Sequence, residues 1–384
     1  MSLSFPLSTM GQAAANLYTA GSAARTWVYQ HGWIGQQRLR AKVISIGNIA
    51  WGGTSKTPFT IWLADRLSGA GVRVSILTRG YGRTSRELLR VFSPGESPPA
   101  VNDTGDEAQL YLRHLCHVPI GIAHNRYEAG HAIEDRFPLD VHLLDDGFQH
   151  LALARDLDVV LMDARNPWGA RWGISRVLRE GPAALRRAHA ILITNCGLVG
   201  NGGEAKLEFL KLSLRKLNPE SPQFLASTRI VHFVERNGPN CVSLETMAGR
   251  RALAFCGLGN PDNFFSMLND AGVPCVAREA FHDHHRYRVH DLERIAKLAQ
   301  RTRVDCLITT EKDLLNLPHA AALSIPLYWA SIQIVVEGED QLLRWVGEKL
   351  GMTLGPAADA TAGAEKQRDL GVVAVTGIRS HPME

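Results

Sequence analysis

The chain has 384 residues, 45% of them hydrophobic and 21% charged, which supports two ordinary cores and excludes a disordered chain. Its net charge of +4, with bases and acids interleaved along most of the length, gives no ground for a nucleic-acid partner. Six cysteines (Cys116, Cys196, Cys241, Cys256, Cys275, Cys306) without a CxxC pair exclude a zinc ribbon or disulfide framework and suit free thiols in a reducing cytosol.

Residues 1–42 hold Arg25, Arg38, Arg40 and Lys42 but no acid, interspersed with Leu17, Trp27, Val28, Trp33 and Ile34. No run there reaches the ~20 apolar residues that a bilayer crossing needs, and no basic cluster precedes an apolar stretch as in a signal peptide. The segment reads as a helix that lies at a membrane surface, or as one packed on the domain with a few exposed bases.

From residue 43 the pattern alternates short apolar runs with helical stretches. Strands are expected at 42–46 (KVISI), 73–78, 118–123, 141–144, 158–162 and 190–194, with helices at 57–70, 107–114 and 126–134. Such alternation predicts an α/β fold with parallel strands and crossover helices. Over 223–241 the chain turns extended, with an Asn237-Gly238 turn, which places the end of the first domain (43–225) and a linker at 226–248. A second, smaller α/β domain follows at 249–351, with strands at 251–255, 306–309 and 327–330 and helices at 262–271 and 289–299. Residues 352–384 are rich in Ala, Gly, Thr and Asp without periodicity and read as a disordered tail.

The run GNIAWGGTSKTP at 47–58 sits between a strand and a helix, the context of a phosphate-binding P-loop. Backbone N–H groups over Gly52, Gly53, Thr54 and Ser55 would cradle phosphate, Lys56 would reach the β and γ phosphates, and the Thr57 hydroxyl would ligate Mg²⁺. Ser55 stands where the motif has glycine. A second run, VHLLDDGFQH at 141–150, ends an apolar strand in Asp145 and Asp146, where a carboxylate would hold the metal. Adjacent acids point in opposite directions on a strand, so one of the two faces the ion. Together these predict a fold of the P-loop-containing nucleoside triphosphate hydrolase type, using ATP or GTP, in preference to a dinucleotide-binding domain, whose GxGxxG is absent.

At these residues the sequence resembles the tetraacyldisaccharide 4′-kinases of lipid A biosynthesis. Matching blocks are GNIAWGGTSKTP (47–58), TRGYGR (78–83), GDEAQL (105–110), NRYEAG (125–130), LLDDGFQH (143–150), LREG (178–181), FHDHHRY (281–287) and TTEKD (309–313). The resemblance implies two α/β/α domains joined by a β-ribbon, an active site in the cleft between them, ATP as donor and Mg²⁺ as metal. It also implies the 4′-hydroxyl of a tetraacyldisaccharide 1-phosphate as acceptor and peripheral association with the cytoplasmic face of the bacterial inner membrane; no obligate protein partner is inferred from the sequence.

The resemblance further implies Asp106 as the group that takes the acceptor's proton, assisted by a histidine matched to His284, with His285 the alternative. Read without it, Asp106 is a helix N-cap, and the histidines 282, 284, 285 and 290 lack the spacing of a metal site. Glu180 carries over as a further metal ligand or relay, and Tyr81, Arg126 and His150 as contacts to the lipid head group. A rival reading is a P-loop ATPase that acts on a protein partner at the membrane surface.

Overall fold

The strand expected at 42–46 forms as β1 (Lys42–Gly47), and every residue after Lys42 is buried. Ile44 and Ile46 belong to one hydrophobic cluster and Val43 to another, so the strand is covered on both faces, as is usual for a strand inside a parallel sheet. The computed structural model describes residues 21–169, 171–172, 175–176, 178–198, 202–238, 241–318 and 323–354.

Further strands are β2 (Val74–Thr78), β3 (Leu89–Phe92), β4 (Ile120–Ala123), β5 (Val141–Asp145), β6 (Leu157–Asp163), β7 (Arg171–Trp172), β8 (Ser175–Arg176), β9 (Ala190–Thr194) and β10 (Gln223–Glu235). The remainder are β11 (Cys241–Val242), β12 (Ala252–Cys256), β13 (Cys275–Ala280), β14 (Cys306–Thr310) and β15 (Leu327–Glu337). Helices are α1 (Lys56–Gly69), α2 (Asp106–His114), α3 (Arg126–Glu134), α4 (Gly203–Leu217), α5 (Pro261–Asp270), α6 (Val289–Thr302), α7 (Glu311–Leu315) and α8 (Glu339–Leu350). One 13-stranded sheet runs β13-β12-β14-β15-β10-β9-β6-β1-β5-β2-β4-β3, with β11 beside β10. Pairing is parallel except at β3–β4, β10–β11 and β10–β15.

The α/β class is as expected, but the division of the chain differs from the one expected. β10 pairs with β9 through Gln223, Phe224 and Leu225 and then with β15 from Leu225 to Glu235, so the ribbon joining the halves is built from β10 and the late strand β15 rather than from 226–248 alone. Its ends lie in different cores: Phe224, Ala226, Ile334 and Val336 pack with Ile44 and Phe59, whereas Ile230, Phe233, Tyr328 and Ala330 pack with Phe264 and Leu268. The chain then returns to the first half, where α8 buries Leu342, Leu343, Val346 and Leu350 in that first core. Each such side chain contributes roughly 1.5–3 kcal/mol, and the Arg66–Glu339 ion pair fixes the start of α8 against α1.

Residues 21–30 are helical, with Trp27, Trp33 and Ile34 exposed at its end and in the turn after it. Among the described residues no helix is long and apolar enough to cross a membrane. The rest of the expected N-terminal segment, 1–20, and the tail from 355 lie outside the described residues; Met352 and Leu354 pack against the first core.

Candidate active site

The C-terminal ends of β1, β2 and β5 in one half and of β12 and β14 in the other face a shared cavity of about 880 Å³, the position at which open α/β sheets bind ligands. The loop after β1 ends at Ser55, the N-cap of α1, which has no side-chain cap hydrogen bond and no acid in its first turn. The first N–H groups of α1 are therefore open to an anion, and the helix dipole favours one there. Asn48 Nδ2 donates to Thr54 Oγ1 at 3.0 Å, Gln149 Nε2 to the Asn48 carbonyl at 2.8 Å, and Thr194 Oγ1 to the Thr54 carbonyl at 3.3 Å, so the turn after β5 and the end of β9 fix the loop.

Ser55 has φ 61°, ψ 29°, a left-handed conformation that disfavours any residue with a Cβ, and its Oγ lies 3.3 Å from Thr228 Oγ1. The motif's glycine is thus replaced at the point where glycine has a conformational role. Ser55→Gly is expected to stabilise the protein by about 1 kcal/mol, read as a higher midpoint in urea unfolding; an unchanged or lowered midpoint would mean that the Thr228 contact outweighs the backbone strain.

Lys56 Nζ lies 3.4 Å from Asp146 Oδ1, and Arg179, stacked 4.8 Å from the Trp51 ring, donates to Asp146 Oδ2 at 2.5 Å. Although burial opposes the charge, Lys56 and Arg179 hold the Asp146 carboxyl far below the ordinary carboxylate range. Asp145 is the opposite case. Buried, with Glu107 and Asp146 beside it, its carboxyl is pushed up to about 7, and Thr78 Oγ1 donates to its Oδ2 at 3.1 Å. Thr57 and Glu107 line the same cavity.

Glu180 is not among these acids. Both its oxygens accept from Arg187, at 2.8 and 3.0 Å, and it is buried away from the cavity. Its neighbour takes the place expected of it: an antiparallel bridge between Ala50 and Leu178 and the Arg179 N–H to the Ile49 carbonyl lay the LREG run along the P-loop, so Arg179 reaches Asp146 and Glu180 faces the other way.

Asp106 opens α2 and is 5% exposed. Gly105 before it has φ 86°, and a Cβ there would stand 2.2 Å from the Tyr81 carbonyl, so glycine lets the turn dock against the loop after β2. The Asp106 carboxylate meets His284 Nδ1 at 2.9 and 3.1 Å, Asn316 Nδ2 at 3.4 Å and Lys312 Nζ at 3.8 Å. Burial opposes its charge, yet the His284 hydrogen bond and the Lys312 charge hold its pKa below the ordinary value. His284 is raised in turn: burial lowers it, and the Asp106 bond overrides that. His284 lines the cavity, has φ 57°, and packs at a tilt against Tyr81 with ring centroids 4.8 Å apart. His285 does not approach Asp106; it bonds His282 Nε2 at 2.8 Å and Asp291 Oδ2 at 3.0 Å.

Arg126 and His150 stand together at another wall of the cavity. Arg126 Nη1 donates to the His124 carbonyl at 2.9 Å, and its buried Nε has no partner. Burial and the charges of Arg126, Arg155 and Arg25 push His150 down to about 3, and its Nε2 is buried without a partner. This corner is short of negative charge. Tyr81 is 56% exposed at the rim. The roles of Arg179, Glu107 and Lys312 went unread in the sequence, although all three lie in or beside the quoted blocks.

The tetraacyldisaccharide-1-P 4′-kinase family matches residues 7–351. A tetraacyldisaccharide 4′-kinase of Koribacter versatilis is 36% identical over 337 residues, covering 85% of this chain and 94% of that protein. The enzyme of the same name from Syntrophobacter fumaroxidans is 38% identical over 284 residues, covering 74% and 73%. Among solved structures, LpxK from Aquifex aeolicus in complex with ATP superimposes with a TM-score of 0.66 at 25% identity, covering 90% of this chain and all of that one.

Proposed function

The chain belongs to the tetraacyldisaccharide-1-P 4′-kinase family, and from that premise we propose how its residues divide the work. The activity is ATP-dependent phosphorylation of a lipid A precursor at its 4′-hydroxyl. The bond between the γ-phosphorus and the β,γ-bridging oxygen breaks, the 4′-oxygen bonds to that phosphorus, ADP leaves, and the hydroxyl proton goes to a base on the protein. One observation carries this reading: an uncapped helix N-terminus with the Lys56 head beside it, the acids at the end of β5 and an Asp–His pair face one cavity.

The open N–H groups of α1 and Lys56 hold the β and γ phosphates. Because transfer passes through a loose transition state, neutralising charge on the moving group supplies most of the rate. Lys56 is paired with Asp146, so the phosphates share its charge with that carboxylate, and Arg179 is the second cation on Asp146. The Asp106–His284 pair accepts the proton as a unit, with Lys312 fixing the charge of Asp106. Arg126 and His150 bind the head group, whose phosphate fits a corner with cations and unpartnered polar atoms, and Tyr81 contacts the sugar at the rim.

The acids at the end of β5 fit Mg²⁺. Asp145 is crowded by like charge, Asp146 Oδ1 faces the Lys56 ammonium at 3.4 Å, and a hydroxyl stands at Thr57. Among the described residues no group of three or more His, Cys, Asp or Glu could hold a metal, which suits an ion held by one or two carboxylates plus phosphate oxygens. When bound it would neutralise the β and γ oxygens. Since burial and the neighbouring Glu107 and Asp146 raise Asp145 to about 7, a cation bound there competes with a proton. Mg²⁺ affinity is therefore expected to weaken as pH falls below 7 and to level off above it. Calorimetry in two buffers of different ionisation enthalpy reads the released proton; equal heats in both would remove Asp145 as the ligand.

Arg25 lines the cavity, and the helix that carries it exposes Trp27. That end of the cleft faces the acyl chains, with the protein resting on the cytoplasmic face of the inner membrane. Incubation with Mg²⁺, γ-labelled ATP and tetraacyldisaccharide 1-phosphate in detergent micelles tests the whole reading: label should enter the lipid, whereas hydrolysis without lipid labelling would favour an ATPase working on a partner.

A further inference from the structure

β9 lies two strands from β1, across β6 and on the side away from the acids of β5. The residue that follows it, Asn195, is 2% exposed, lines the cavity and has φ 58°. Its Nδ2 is buried without a hydrogen-bond partner. An orphaned amide donor in a protein interior is disfavoured unless a ligand completes it. The surroundings are consistent with a flat, mostly apolar guest: α5 packs against the turn Cys196–Leu198 just after Asn195 and brings Phe264 and Met267 to the cavity wall, with Leu258 from the preceding loop.

The direction of the nucleotide follows from the site already described. The γ phosphate must face Asp106 and His284, which approach from the β5 and β2 side, so the nucleoside leaves the P-loop on the opposite side, toward β6 and β9. Thr194 ties this end of β9 to the loop by donating to the Thr54 carbonyl. Gly259, in the loop after β12, lies so close to the loop that a Cβ on it would stand 2.7 Å from Gly52 Cα, which roofs the passage between the phosphates and α5.

We propose that Asn195 reads the nucleobase of the donor, its Nδ2 donating to a ring nitrogen of a purine wedged against Leu258, Phe264 and Met267. This rests on the P-loop being the ATP site. An amide that donates to a ring nitrogen and accepts from the neighbouring exocyclic amine suits adenine, and guanine presents an oxygen in place of that amine. Asn195 is thus the base-discriminating residue of the enzyme.

Calorimetric titration of the full chain with ATP, with 1-, 3- and 7-deaza-ATP and with inorganic tripolyphosphate tests it, for the wild type and for Asn195→Gly, which removes the amide and tolerates the positive φ. One deaza analogue should bind the wild type about tenfold more weakly than ATP, the fold-change typical of one unsatisfied hydrogen bond. Asn195→Gly should bind ATP about tenfold more weakly, no longer distinguish that analogue from ATP, and bind tripolyphosphate as the wild type does. Wild-type affinity that is equal for ATP and all three analogues, or discrimination that survives in Asn195→Gly, overturns the assignment while leaving the phosphate site standing. Absence of both ATP and tripolyphosphate binding to the wild type overturns the phosphate site and the assignment with it.

Discussion

Lys56→Ala is expected to lower kcat/KM for lipid phosphorylation by roughly 10²–10³-fold, the range seen when one preorganised charge or donor is removed from a reacting group. Two features make this a test of chemistry rather than of folding. Lys56 is on the first turn of α1, whose buried face is Phe59, Thr60, Trp62, Leu63, Ala64 and Leu67, so truncation leaves the packing of the helix untouched. Its ion-pair partner Asp146 keeps Arg179, so that carboxylate is not left without a cation. Lys56→Arg should fail almost as badly, since a planar guanidinium does not replace a compact ammonium at a single phosphate oxygen. Steady-state kinetics with unfolding curves for each variant decide it: normal stability with near-normal turnover would remove Lys56 from the transition state.

How much of this was legible beforehand depended on how local the signal was. β1, β5 and β9 announce themselves as short, mostly apolar runs, because burial on both faces leaves little freedom of composition, and the P-loop as a glycine-rich string between strand and helix. β13 has no such run; its sequence CVAREA alternates exposed with half-buried residues because it is the edge strand, and β3 at the other edge is equally mixed. α8 (Glu339–Leu350) was not among the helices expected, and nothing in its sequence says that the chain has crossed back to the first core. Arg179 and Glu180 illustrate the same limit at one residue's resolution: a block identifies the neighbourhood, while the pairing of Leu178 with Ala50 decides which side chain faces the acid cluster. Asn195 could be singled out only by a missing partner, which is a property of the folded site. His284 and Asp106, 178 positions apart, were paired through the resemblance; the geometry now distinguishes His284 from His285 by which imidazole reaches the carboxylate.

That pair carries the second large effect. Asp106→Asn keeps the shape but removes the charge, so it should lower kcat by roughly 10²–10⁴-fold while ATP affinity changes by no more than about threefold, the phosphates being held by α1 and Lys56. His284→Ala should lose a comparable factor, and the double variant little more than either single one, because groups acting as a unit are not additive. Stability adds an independent reading with a definite sign. The folded pKa of Asp106 is depressed, so its contribution is present above the unfolded value near 3.9 and lost as pH falls through the folded one; that of His284 is raised, so its contribution is full below the unfolded value near 6.5 and lost as pH rises through the folded one. The pair therefore stabilises the join between the halves most between those limits, and Asp106→Asn should flatten the stability profile there. Additive losses in the double variant, or equal loss of turnover and ATP affinity in Asp106→Asn, would instead make the pair a structural clasp and require another group to take the hydroxyl proton.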